Sequence, residues 1–143
     1  MSKLIFVNLP VANVAAATRF YEAIGARKNE MFSDSTASCM VFSDTIHAML
    51  LSHEKFASFT PKPIADAKAA SEVLICLSAD SRAEVDTLLV NAAQAGGKPD
   101  PASVQDHGFM YGRSFEDLDG HIWEVMWMDH EAAKSAMCQG APA

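Results

Sequence analysis

The sequence predicts an α+β fold built from two tandem strand–helix–three-strand modules, and three features carry that prediction. Residues 109–129, FMYGRSFEDLDGHIWEVMWMD, read as two strands around a tight acidic turn. An apolar strand followed by a helical stripe and shorter strands occurs twice, in the same order. Val11 and Ala79 hold matching places, as do Gly25 and Gly96, so the repeat offset is about 70 residues. Periodic pattern carries the duplication, because the halves share little identity. Two curved sheets, each with a helix on its convex side, would meet edge to edge as a half-open barrel around a cavity.

Residues 3–9 form an apolar run suited to a buried strand, closed by Pro10. Asn13 is the expected cap of a helix whose stripe is Val14, Ala17, Phe20, Tyr21 and Ile24, with Gly25 ending it. Strands are expected over 26–32, 37–42 and 46–51. The proline-bearing segment 53–70 interrupts the pattern and connects the halves, with a helical turn or two. The pattern resumes with a strand over 72–78. Ser81 and Glu84 fit a capping box, and Val85, Leu88, Leu89 and Ala92 form a stripe closed by Gly96-Gly97. A strand weakened by Pro99 and Pro101 spans 98–104, and the hairpin strands fall at 109–115 and 121–128. Asp119-Gly120 supplies the left-handed positions of its turn. A short helix over 129–137 and a loose tail over 138–143 complete one domain. Its parts are a first module 1–52, a connection 53–70, a second module 71–128 and a C-terminal segment 129–143.

The chain has 143 residues, half of them hydrophobic, enough for one domain with a real core. Net charge is −7 without a basic run, which argues against a nucleic-acid partner. Cys39, Cys76 and Cys138 are odd in number and far apart, fitting reduced thiols in a cytoplasmic protein. Asn8 and Pro10 cut off any signal-peptide core, and no apolar run approaches the roughly 20 residues of a membrane span.

Three segments, VNLPVANVAAATRFYEAIGA, LSADSRAEVDTLLVNAAQAGG and GRSFEDLDGHIWEV, resemble the vicinal oxygen chelate superfamily over residues 3–128. That superfamily includes glyoxalase I, extradiol dioxygenases, methylmalonyl-CoA epimerase, and fosfomycin and bleomycin resistance proteins. The last segment looks like the family's Asp-Pro-Asp-Gly turn, with Leu118 where proline is usual. The resemblance implies a divalent metal held by up to four side chains of concave-face strands. By pattern those positions fall on Phe6, Leu50, Leu74 and Glu124. Three are hydrophobic, and a lone carboxylate does not hold a transition metal, since catalytic sites generally need about three protein ligands. No cofactor is expected, and a divalent metal is not supported by these positions.

Glu124 shares its strand face with Ile122, Met126 and Met128. It is either a cavity carboxylate that binds a cationic or hydrogen-bonding group, or acts as a base, or a relic held by a salt bridge. Arg113 alternates with Tyr111 and Phe115. It either points into the same cavity, pairing with Glu124 or gripping a ligand anion, or is an exposed edge residue. Phe6, Asn8, Leu50, Leu74, Cys76 and Tyr111 join Glu124 and Arg113 as candidate ligand contacts. Cys76 has no base beside it in sequence, so a nucleophilic role is unsupported. His107 is the best spare ligand or base, against a solvated loop histidine. His121 lies on the face opposite Glu124, His47 is expected to face a helix, and His53 with Glu54 is a weaker candidate for the cavity mouth. Phe56 and Phe59 either form a lid or pack on the sheet.

The function expected from this set is small-molecule binding with the metal site largely lost, similar to bleomycin resistance proteins. The alternative is a glyoxalase- or dioxygenase-type enzyme with a reduced or relocated site based on Glu124. A blander third reading is a structural or regulatory dimer with its cavity closed by side chains. The resemblance also implies a homodimer, with each cavity formed either within a chain or between chains.

Overall fold

The first half of the chain runs β1 (Ile5–Val11), α1 (Val14–Ala23), β2 (Arg27–Asn29), β3 (Ala37–Val41) and β4 (Ile46–Ser52) in a computed structural model that describes residues 2–140, the side chains of 137–140 excepted. A 3-10 turn, Glu30–Phe32, follows β2, and a short helix, α2 (His53–Ala57), follows β4. The second half runs β5 (Ile75–Ser78), α3 (Arg82–Gln94), β6 (Lys98–Pro99), β7 (Gln105–Asp106), β8 (Met110–Glu116) and β9 (Ile122–Met128). Helix α4 (His130–Gly140) follows.

The expected duplication is present in the topology. One sheet has the order β1-β4-β3-β2 and the other β5-β9-β8-β6, with β7 also paired to β8. In each, the first strand runs parallel to the last and the remaining pairs are antiparallel. The sheets are curved and unclosed, as the α+β prediction requires.

Local chemistry explains the helix ends. The Asn13 side chain accepts from Ala16 N at 2.9 Å and opens α1. Ser81 Oγ accepts from Glu84 N at 3.0 Å, while the Glu84 carboxylate accepts from Asp80 N at 2.5 Å. That is a capping box reaching one residue further back than usual. Gly25 (φ +107) and Gly96 (φ +102) follow α1 and α3 in the left-handed region, where a side chain would be strained.

One core joins the halves. Phe20 and Tyr21 of α1, Val85 and Leu89 of α3, and Leu50, Phe115 and Trp123 of the sheets pack into a single cluster. Fully burying each large apolar side chain contributes about 1.5–3 kcal/mol. The polar groups inside are matched. Tyr21 Oη donates to Asp117 Oδ2 at 2.5 Å, Trp123 Nε1 donates to Tyr21 Oη at 2.8 Å, and Asp117 Oδ1 accepts from the amides of Asp119 and His121. Two further bonds, Ala12 N to Asp119 Oδ1 and the His121 ring to Pro10 O, tie the β8–β9 turn to the end of β1. Among the described residues, no buried side-chain nitrogen or oxygen lacks a partner.

Several boundaries differ from expectation. The strand over 26–32 stops at Asn29, whose side chain accepts from Met31 N and turns the chain. The strand over 72–78 begins only at Ile75. The strand over 98–104 is split into β6 and β7. Asp100 adopts φ +52 there, and Pro101 has no N–H for a ladder. In the β8–β9 turn only Gly120 (φ +93) is left-handed; Asp119 is not. The turn is closed by the Asp117 carboxylate instead of a two-residue hairpin loop. Helix α4 extends to Gly140, into part of the expected loose tail, while 141–143 lie outside the described residues, as does the side chain of Cys138. The connection contains α2 and a turn in which Ala69 N and Ala70 N donate to Asp66 O. No described helix is long and apolar enough to cross a membrane.

Candidate functional site

Each sheet has a helix-bearing face, which feeds the core, and a far face. On β9 alternation sends Trp123 and Val125 to the core and Glu124 and Met126 to the far face. Strand register then names the neighbours of Glu124: Cys76 on β5 and Ser114 on β8. Glu124 opens into a recess of about 120 Å³ that Cys76, Ser103, Gln105, Met110 and Gly112 also line. Among the described residues no cationic side chain lies within ion-pair distance of Glu124. Burial and the charge of Glu124 push the Cys76 thiol up, away from the reactive thiolate.

Arg113 also borders this recess, but its guanidinium pairs with other carboxylates and not with Glu124, and Tyr111 is not among the lining residues. Arg113 stands opposite Val125, on the helix-bearing side. Its guanidinium grips Asp100 through two bonds of 2.6 and 3.1 Å and reaches Asp86 at 3.0 Å. Tyr111 Oη donates to the same Asp86 at 2.6 Å. Arg82 lies over the rings of Tyr111 and Trp127, at 4.8 and 5.5 Å, and holds Asp106 with bonds of 2.7 and 3.1 Å. The Arg82 bonds hold the Asp106 carboxyl down, at about 2. The hydrogen bonds that Arg113 donates to Asp100 and Asp86 raise its guanidinium further above its ordinary value. These charges bind α3 and the segment after β6 to β8, leaving Glu124 without a counter-ion from them.

In the first module the register moves two more residues. Leu50 is fully buried in the core, so it is not a far-face residue. Met49 takes that place, opposite Asn8, and His47 lies opposite Phe6. His47 therefore does not pack on a helix: its ring stacks on Phe6 at 4.4 Å and 14°. With Val11 equivalent to Ala79, the pair Asn8–Met49 corresponds to Cys76–Glu124, and Phe6 corresponds to Leu74. By this register, the positions that the resemblance assigns to metal ligands become Phe6, Met49, Leu74 and Glu124. Two carry no donor atom and one only a thioether, so the set does not fit a hard divalent cation. Among the described residues, no three His, Cys, Asp or Glu side chains gather closely enough to hold a metal.

The remaining candidates disperse. His107 is exposed beside Gly108 (φ +79), with its Nε2 3.2 Å from Gln105 Oε1. His121 lies across the strand from Glu124, as expected, bonded to Pro10 O. His53 starts α2, capped by Ser52. Phe59 is 62% exposed under Lys55. Asn8 and Phe56 belong to a second, larger crevice beneath the 58–74 connection, which sequence patterns did not reveal.

Comparison with known proteins agrees with this architecture. A solved structure of a hypothetical protein from S. aureus matches at TM-score 0.74 and 24% identity, over 89% of this chain and 94% of that one. A glyoxalase-related enzyme from Fulvimarina pelagi matches at TM-score 0.72 and 19% identity, over 89% and 88%. The fosfomycin resistance protein FosX from Listeria monocytogenes matches at TM-score 0.63 and 19% identity, over 89% and 91%. No functionally curated protein matches the sequence. The family description Glyoxalase/Bleomycin resistance protein/Dioxygenase superfamily matches residues 3–125, and with the duplicated topology it places this chain in that superfamily.

Proposed function

We propose that this protein binds a small molecule on the far faces of its sheets, at a site that has largely lost the superfamily's metal ligands. The observation that carries the reading is the register placing Phe6, Met49 and Leu74 where donors would be needed. An apolar wall with one carboxylate suits a ligand with a hydrophobic body and a cationic or hydrogen-bonding group for Glu124. The recess in one chain, about 120 Å³, is smaller than the roughly 300 Å³ at which ligand pockets begin. A second copy is therefore part of the proposal. Leu4 just before β1, Ile5 and Phe6 on it, and Val73 and Leu74 just before β5 are each 47–58% exposed at strands unpaired on one side. A homodimer covering them would deepen each site with residues of both chains. The unpaired Cys39 and Cys76 support a reducing, cytoplasmic setting.

Metal analysis of untreated protein by inductively coupled plasma tests the reading, together with native mass spectrometry for co-purified ligand. The expected result is no stoichiometric metal and a dimer; one tightly held metal per chain overturns it. One observation favours an enzymatic alternative: Glu124 has no described counter-ion and is placed to act as a base beside Cys76 and Ser114. Turnover of the methylglyoxal–glutathione adduct or of catechols with added Ni, Zn, Mn or Fe, abolished by Glu124→Gln, would establish it in place of the binding role.

A further inference from the structure

We infer a second small-molecule site, separate from the Glu124 recess, in the crevice between the modules beneath the 58–74 connection. Its occupant would be a compact aromatic or alicyclic molecule without net charge.

The crevice encloses about 280 Å³. Its floor is Leu9 and Pro10 from the first sheet with Ile75 and Ile122 from the second, and Phe56 stands at one side. Its roof is made small by Ala65, Ala67 and Ala70, which leave space where longer side chains would fill it. Crevices between structural units are common ligand sites, and this volume falls just short of the roughly 300 Å³ at which their usual range begins. That limits the guest to one or two rings.

The roof is anchored, so the space is formed before a ligand arrives. Gly120 (φ +93) lies so close to the connection that a Cβ there would meet Lys68 N at 2.8 Å and the Ala67 carbonyl carbon at 2.9 Å. Asp66 holds the same segment from within: Oδ1 accepts from Lys68 N at 3.0 Å and its carbonyl accepts from Ala70 N at 3.1 Å. A preformed site avoids the ordering cost that a floppy loop would impose on binding.

Polarity decides the class of guest. Lys62 and Glu72 both line the crevice, so opposite charges flank it. An anion drawn to Lys62 meets Glu72, and a cation drawn to Glu72 meets Lys62. The Asn8 carboxamide supplies a neutral donor and acceptor. Such a lining favours a neutral apolar molecule with a hydrogen-bonding group.

The test titrates ¹⁵N-labelled full-length protein with indole, indole-3-acetate and tryptamine as probes. Saturable amide shifts are expected at Val73, Gly120 and Ile122, with indole binding more tightly than either charged analogue. Ala70→Phe and Ile122→Phe, on opposite walls, should each weaken indole at least tenfold, while Glu124→Gln leaves its affinity unchanged. The inference is overturned by shifts that fail to saturate, by shifts centred on Cys76, Gln105 and Gly112, or by indole affinity that survives both crevice-filling variants. Because Glu124→Gln disables the other recess alone, failure here is distinguishable from failure of the binding role proposed there.

Discussion

The two modules share one topology but diverge on their far faces. Asn8 and Met49 occupy in the first sheet the positions of Cys76 and Glu124 in the second, and Phe6 answers to Leu74. On the helix-bearing faces the halves remain alike: Phe20 and Tyr21 in one, Val85 and Leu89 in the other, all in the same core. The means of holding helix to sheet also differs. In the first module a buried Thr18–Ser38 hydrogen bond assists apolar packing, whereas in the second Arg113 joins Asp86 of α3 to β8 and to Asp100. Duplication therefore constrains the faces that make the core. The far face, which the core does not need, is where the two modules differ: Asn8 and Met49 in one, Cys76 and Glu124 in the other.

Adding ligand-type side chains to the far faces is the strongest way to probe that comparison. Phe6→His, Met49→Glu and Leu74→His combined would give Glu124 three companions of ligand type. We expect zinc binding to rise from none to stoichiometric, read by metal analysis after dialysis. If no metal is retained, the equivalence in register does not bring these positions to one point in space.

Stability should divide the two faces of a single strand. Leu50→Ala should cost about 2–5 kcal/mol and Trp123→Ala about 3–5 kcal/mol, measured by urea unfolding. Met49→Ala, on the other side of β4, should cost about 1 kcal/mol. Equal losses for Leu50 and Met49 would break the division between core face and far face.

The contact between modules has its own signature. Tyr21→Phe removes a buried donor from Asp117 and an acceptor from Trp123, a loss of about 1–3 kcal/mol. Burial raises the Asp117 carboxyl, so its ionised form is a burden that grows as pH climbs past the unfolded value, about 4. The Tyr21 bond relieves part of that burden. The deficit of Tyr21→Phe relative to the natural protein should therefore be larger at pH 7 than at pH 4, by chemical denaturation at both. A deficit independent of pH would show that the hydroxyl does not act through the charge of Asp117.

The smallest effect belongs to the exposed Arg82–Asp106 pair. Asp106 is depressed to about 2, so its contribution is complete above the unfolded carboxylate range and disappears as pH falls toward 2. Asp106→Asn should flatten the acid limb of the stability curve between pH 4 and 2 and change little at pH 7. An unaltered acid limb would remove this pair from the account of how α3 is held.

Much of this was legible in one dimension. Asn13, Ser81, Gly25 and Gly96 mark helix ends because capping and left-handed geometry depend on residues a few places apart. The stripes Phe20–Tyr21 and Val85–Leu89, and the alternation that puts Glu124 opposite Trp123, follow from the periods of helix and strand. The family pattern rests on the same local signals. Leu50 shows where reading by pattern stopped: in an apolar strand such as IHAMLLS both faces look alike, and a slip of one residue exchanges them. Arg113 failed for a related reason, since its partners Asp86 and Asp100 lie 27 and 13 residues away and nothing local points to them.

By itself the sequence determined the order of elements, their ends and the duplicated module, because these depend on backbone preferences and short-range periodicity. Only the tertiary structure decided that Met49 replaces Leu50 beside Asn8, that Arg113 is committed to α3, and that a crevice lies under the connection. Those outcomes depend on strand register and on the meeting of distant segments, and each is settled by the packing of the whole core.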